Sequence, residues 1–245
     1  MPENVVLLHG FAGTRRTWDG VIECLSGERY LAQALDLPGH GERAQVEPIS
    51  VAACVPEVLA RAPRRFVLGG YSLGGRVAMH VALAAPERIS RLVLVSCSAG
   101  LEDAGERAER RRADGLFAAT LERGRLEEFI ERWSRLPLFA GEPAHVGRLA
   151  RAEQRRNQPE ALAAALRALG TGEMSPLWCA LARLRMPVTV VVGERDHKFR
   201  ALGERMAAGL ARGQLALVRG GHRLPLENPL AVARALEGLD AEPGG

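Results

Sequence analysis

Residues 65–83 constrain the fold more than any other stretch of this chain. Gly70-Tyr71-Ser72-Leu73-Gly74 sets a serine between two glycines in the spacing G-x-S-x-G. The segment Arg65-Phe66-Val67-Leu68-Gly69 before it reads as a buried strand, and residues 75–83 after it read as a helix. A strand that runs straight into a helix leaves almost no room at the corner, so small residues are needed where the backbone crowds. The serine at such a corner projects its oxygen away from the sheet.

The remaining sequence repeats the alternation of strand and helix. Short apolar runs at 5–8, 31–37, 65–69, 91–96, 187–192 and 214–218 read as buried strands. Several are continuous Val/Leu runs, as expected of parallel strands covered on both faces. Helical patterns fall at 17–25, 51–61, 75–84, 201–210 and 230–239. The order predicts an α/β fold, a mostly parallel sheet with right-handed crossovers and flanking helices. Its length of 245 residues suits one domain, or one domain with an insertion. Residues 99–180 carry that insertion: they are rich in Arg, Glu, Ala and Leu and hold no strand-like run. Within them 116–136 and 159–169 look helical, the second opened by Pro159 and stopped by Gly170. The expected organisation is therefore a core of residues 1–98 and 181–245, with a helical cap of residues 99–180 inserted between strands and lying over the strand ends. The tail 241–245 is expected to fray.

A serine hydroxyl needs a base to take its proton, and the base needs an orienting acid. His222 is the best base among the histidines, because Gly220-Gly221-His222 follows the last strand and can reach back over the sheet. His9 and His40 also lie on glycine-rich loops and compete with it. His80, His145 and His197 read as packing or surface residues. Asp196 is the acid candidate: it follows the strand at 187–192 through Gly193-Glu194-Arg195, with Glu194 its nearest competitor. The chain order is then Ser72, Asp196, His222. Glycines in His9-Gly10-Phe11-Ala12-Gly13 let backbone amides face the site, so the N–H groups of Phe11 and Leu73 are the expected oxyanion donors.

Composition excludes several function classes. Aromatics are only 4% and no basic stripe interleaves with them, which argues against nucleic acid. Net charge is +4, and Lys198 is the only lysine beside 32 arginines. A compositional bias toward Arg and Ala accounts for most arginines outside the site; the sharper reading is recognition of a small anion, because guanidinium forks match carboxylates. Cys24, Cys54, Cys97 and Cys179 are scattered, with no C-x-x-C and no Cys/His cluster, so no metal is expected and reduced thiols suit the cytoplasm. No phosphate loop or dinucleotide fingerprint occurs, and no cofactor is expected. The start Met1-Pro2-Glu3-Asn4 lacks a basic leader, and neither signal peptide nor membrane span is visible.

Together His9-Gly10-Phe11, Asp36-Leu37-Pro38-Gly39-His40-Gly41, Gly70-Tyr71-Ser72-Leu73-Gly74-Gly75, Gly193-Glu194-Arg195-Asp196 and Gly221-His222 resemble the α/β-hydrolases, and these blocks span nearly the whole chain. That resemblance implies the α/β-hydrolase fold with Ser72, Asp196 and His222 as its triad. Narrower blocks resemble one branch. They are Arg76 after the serine, residues 106–114, residues 133–139 from Trp133, Arg155-Arg156-Asn157, Gly170-Thr171-Gly172, Pro176-Leu177-Trp178 and Asp196-His197-Lys198-Phe199. They look like the 2-succinyl-6-hydroxy-2,4-cyclohexadiene-1-carboxylate (SHCHC) synthase family of menaquinone synthesis. The resemblance implies a carbon–oxygen lyase: a ring proton is removed by the triad serine and pyruvate leaves a polycarboxylate substrate. By motif position it also implies Tyr71, Arg76, Arg110, Trp133 and Arg155 as substrate contacts. On a helix adjacent residues point about 100° apart. Only one or two of Arg110, Arg111 and Arg112 can therefore face a pocket, and Arg155 and Arg156 pose the same choice. A serine hydrolase of an ester, thioester or carbon–carbon bond would use the same triad.

Overall fold

The structure, a computed structural model, describes residues 1–239, so the expected fraying of 241–245 lies outside the described residues. Strands β1 (Glu3–Leu8), β2 (Tyr30–Leu35), β3 (Phe66–Tyr71), β4 (Ile89–Val95), β5 (Val188–Gly193) and β6 (Gly213–Val218) form one sheet. Its order is β2-β1-β3-β4-β5-β6 and every neighbouring pair is parallel. From β1 the chain moves out to β2, then returns to the other side of β1 as β3. Carboxyl ends of β1 and β3 therefore diverge into different loops around one crevice, the place where open parallel sheets bind ligands.

Around the sheet lie α1 (Asp19–Cys24), α2 (Val51–Arg61), α3 (Leu73–Ala84), α4 (Ala104–Glu122), α5 (Leu126–Ser134), α6 (Ala144–Gln154), α7 (Pro159–Leu169), α8 (His197–Gly209), α9 (Leu224–Glu227) and α10 (Pro229–Glu237). Alternate strand residues serve opposite faces. Val6, Leu8, Leu68, Leu92, Leu94, Val190 and Val192 pack with Val77, Val81 and Met206 of α3 and α8. On the other face Val5, Leu7, Val67, Val93 and Val191 pack with Val21 of α1 and Val232 and Leu236 of α10.

Helices α4–α7 lie between β4 and β5, and we refer to them as the cap. They share a third apolar cluster with the loop after β1: Leu121, Phe129, Ile130, Trp133, Leu162 and Leu166 enclose Ala12 and touch Phe11. Two readings of this region need correction. The stretch 116–136 is not one helix, because Gly124 adopts φ 70° and donates its N–H to the Leu121 carbonyl, which ends α4 before α5 begins. Helix α4 also starts a full twelve residues earlier than the apolar pattern, at an Asp103 side chain that accepts from the Glu106 N–H. Helix α6 was not expected from the sequence at all. No helix among the described residues is long and apolar enough to cross a membrane.

Candidate active site

The corner between β3 and α3 is as tight as the glycines require. A Cβ on Gly74 would stand 2.1 Å from the Leu8 carbonyl oxygen, and one on Gly70 would stand 2.5 Å from the Gly74 oxygen. Ser72 between them has φ 51° and ψ −110°, a conformation side chains rarely adopt, and its N–H is anchored on the Val95 carbonyl at 2.9 Å. This lifts Oγ above the sheet at the mouth of the crevice.

Two neighbouring strands deliver the partners. The loops after β5 and β6 are stitched by the Arg195 N–H on the Gly220 carbonyl at 3.0 Å, the Gly221 N–H on Glu227 Oε2 at 2.8 Å, and an Arg195–Glu227 ion pair. That framework sets Asp196 Oδ2 at 2.7 Å from His222 Nδ1, and His222 Nε2 at 3.3 Å from Ser72 Oγ. Asp196 and His222 are both buried, whereas Glu194 is exposed. Rings of Phe199, Tyr71 and Phe139 stand 4.7, 5.6 and 5.9 Å from the imidazole and fence it from water. Burial raises the Tyr71 phenol well above its ordinary value, so it stays a neutral hydroxyl.

The competing histidines have other duties. His9 Nδ1 lies 2.8 Å from the Gly10 carbonyl, and its Nε2 accepts the Leu37 N–H at 3.0 Å, which ties the loop after β1 to the loop after β2. His40 pairs with the Pro38 carbonyl. Burial lowers both, His40 to about 3 with His9 adding to the effect, so both are neutral clamps. His145 and His197 are exposed. Half-buried His80 is lowered by burial and by Arg76.

The carried-over contacts divide. Phe11, Tyr71 and Trp133 line the same pocket as Ser72 and His222. Leu73 is the first residue of α3, so its N–H has no acceptor within the helix. Arg76 stands apart from that pocket, buried between α3 and the segment after α7. Its Nη1 donates to Met174 Sδ at 3.0 Å, and burial brings its guanidinium down to about 10. Arg110 donates to Asp114 Oδ1 at 2.8 Å, and its charge acts on Arg76; Arg111 and Arg112 are exposed. The structure does not bring Arg155 to the pocket. It is exposed and forks onto Glu127 at 2.8 and 2.7 Å, because it sits at the end of α6 one residue past the buried face. In its place the pocket receives Gln154 and Arg223, neither anticipated from the sequence. A signal for Gln154 did exist: Val146, Ala150 and Gln154 recur every four residues along α6. Arg223 follows His222 directly, stacks 3.7 Å over Phe139 and donates to both oxygens of Glu142 at 2.6 and 2.7 Å.

All four cysteines are free, and among the described residues no cluster of three or more His, Cys, Asp or Glu could hold a metal.

A serine on a strained strand-to-helix corner, a buried Asp–His couple from the next strand ends and a parallel sheet define the class, and residues 5–235 match the alpha/beta hydrolase family. The chain belongs to that family and is an enzyme on its scaffold. Within it, the chain is 37% identical over 239 residues to 2-succinyl-6-hydroxy-2,4-cyclohexadiene-1-carboxylate synthase of Salmonella schwarzengrund, covering 95% of this chain and 92% of that one. The solved structure of MenH from S. aureus superposes with a TM-score of 0.87 at 30% identity, covering 96% and 92% of the two chains. An enol-lactonase from Burkholderia xenovorans LB400 shares the fold at a TM-score of 0.81 and 18% identity, over 97% and 91%.

Proposed function

We propose that this chain is an SHCHC synthase, a carbon–oxygen lyase that eliminates pyruvate from 2-succinyl-5-enolpyruvyl-6-hydroxy-3-cyclohexene-1-carboxylate. The near-full-length likeness at 37% identity to a protein of that name carries the reading. The site chemistry supports it. Ser72 Oγ transfers its proton to His222 Nε2, and Asp196 balances the charge of the resulting imidazolium. The serine oxygen then removes the acidic ring proton. The electron pair moves through the ring double bond and breaks the bond to the enolpyruvyl oxygen, which leaves as the enolate of pyruvate; a proton equivalent to the one held by His222 converts that enolate to pyruvate, so protons balance over the cycle. No acyl-enzyme forms. In this reading the N–H groups of Phe11 and Leu73 stabilise negative charge as it develops on an oxygen beside Ser72.

Arg76 fits this substrate class. It is a buried cation one turn past Ser72 on α3 without a hydrogen-bonded carboxylate, a costly state that a substrate carboxylate extending beyond the serine pocket would relieve. The test is release of pyruvate by purified protein given substrate made fresh by the preceding synthase. Pyruvate and SHCHC should appear together. Turnover of simple esters without pyruvate release would instead establish a serine hydrolase.

A further inference from the structure

Gln154 is the last residue of α6 and lines the pocket that holds Ser72 and His222. Only 4% of it is exposed, and its Oε1 is fully enclosed with no hydrogen-bond partner. A buried amide oxygen left unpaired is costly, and folded proteins seldom keep one without a use. The neighbouring polar groups do not share this state. Glu153 accepts from Thr14 Oγ1 at 2.5 Å and from Arg156 Nε at 2.8 Å, and Arg223 is spent on Glu142.

The backbone around Gln154 is locked in place. Asn157 Nδ2 donates to the Ala12 carbonyl at 3.1 Å and to the Gln154 carbonyl at 3.3 Å, while its Oδ1 accepts the Gly41 N–H at 2.9 Å. The end of α6 is thereby tied to the loops after β1 and β2, the loops that border the serine. An unpaired amide on a fixed backbone is pre-organised for a ligand.

We infer that Gln154 is a specificity-determining residue of the pocket that hydrogen-bonds a neutral hydroxyl of the substrate. The chemistry of the wall selects that group. The Glu153 carboxylate lines the same side of the pocket and repels a second carboxylate. A hydroxyl both donates and accepts, which matches an amide that presents a carbonyl and an amino group. The inference rests on the proposed reaction for the identity of the ligand, a ring acid that carries one hydroxyl beside its carboxylates.

The test uses the Ser72→Ala protein, which binds without turnover, with and without Gln154→Leu. Calorimetric titration is run with the enolpyruvyl substrate and with the same ring acid lacking its hydroxyl. Gln154→Leu should weaken the hydroxylated ligand about 10-fold or more and the deoxy ligand by less than about twofold. Its thermal midpoint should stay level or rise, since an unpaired polar atom is removed; a merely structural glutamine would lower it. Gln154→Asn, which keeps the amide on a shorter stem, should lose less affinity than Gln154→Leu. Equal weakening of both ligands, or none, overturns the assignment, as does failure of the Ser72→Ala protein to bind the hydroxylated ligand. Pyruvate release by the wild-type protein is scored separately. Release with equal affinities removes this inference alone, and selective weakening without release removes the reaction alone.

Discussion

The floor of the pocket and its roof are built on different terms. Floor residues Ser72, Asp196 and His222 come from loops at the ends of three strands whose spacing the sheet fixes. Roof residues Trp133, Gln154 and, further off, Arg110 come from helix flanks, where a rotation of one residue turns a side chain by about 100°. The floor thus tolerates little change in backbone and demands particular residues. In the roof, which side chain faces inward depends on how each helix is seated.

The largest expected effect falls on the floor. Ser72→Ala should lower kcat by at least about a thousandfold with an unchanged fold, read by pyruvate release and circular dichroism. Retention of a tenth of the rate would remove the serine from the chemistry. A second effect concerns the joint between the two regions. Arg223 and Glu142 are a buried pair, with side chains 7% and 13% exposed, that links the residue after His222 to the cap. Glu142→Ala leaves the cation unpaired and should cost about 3 kcal/mol in denaturant unfolding. A loss below about 1 kcal/mol would mean that roof and floor are not coupled there.

Arg76 sharpens the contrast, since it lies on a floor helix but faces a cap segment at Met174. Arg76→Met should lower kcat/KM by roughly 10- to 100-fold, mainly through KM, while thermal stability stays level or rises. An unchanged KM would free the buried cation of any binding role. The floor also carries a pH signature. His40 is lowered from 6.5 to about 3, and His9 is lowered as well. Between these values the unfolded chain binds protons that the folded chain refuses. Stability contributed by these neutral histidines is complete above pH 6.5 and falls as pH drops toward 3. The slope is at most about 1.4 kcal/mol per pH unit for each histidine. Melting curves taken from pH 8 to pH 4 check this, and a flat midpoint would contradict the neutral clamps. The smallest effect belongs to the outer roof: Arg155→Ala should change kcat/KM by less than about twofold, because its guanidinium sits in solvent on Glu127. A tenfold loss would show that Arg155 swings inward when substrate binds.

These contrasts also explain what could be read from the chain. The corner at Ser72 is local in part: Gly70 has its steric cause within five residues, at the Gly74 backbone, whereas Gly74 is required by the Leu8 carbonyl at the end of β1. Continuous Val/Leu runs likewise mark parallel strands, because both faces of each are covered. The choice between Asp196 and Glu194 was not local. It follows from which of the two the Arg195–Gly220 stitch turns inward. For the cap the sequence offered runs of adjacent arginines, and motif position favoured Arg155. The packing of α6 put Gln154 on the inner face instead and left Arg155 outside.

Sequence alone determined the order of the strands and of the main helices that cover the sheet, the strained serine corner and the residue types able to complete a proton relay, because each depends on neighbours along the chain or on fixed strand ends. Tertiary structure decided which histidines are clamps, which carboxylate meets His222 and which cap side chains enter the pocket. Those outcomes turn on the azimuth of a helix or the seating of a loop, quantities set by packing between elements distant in the chain.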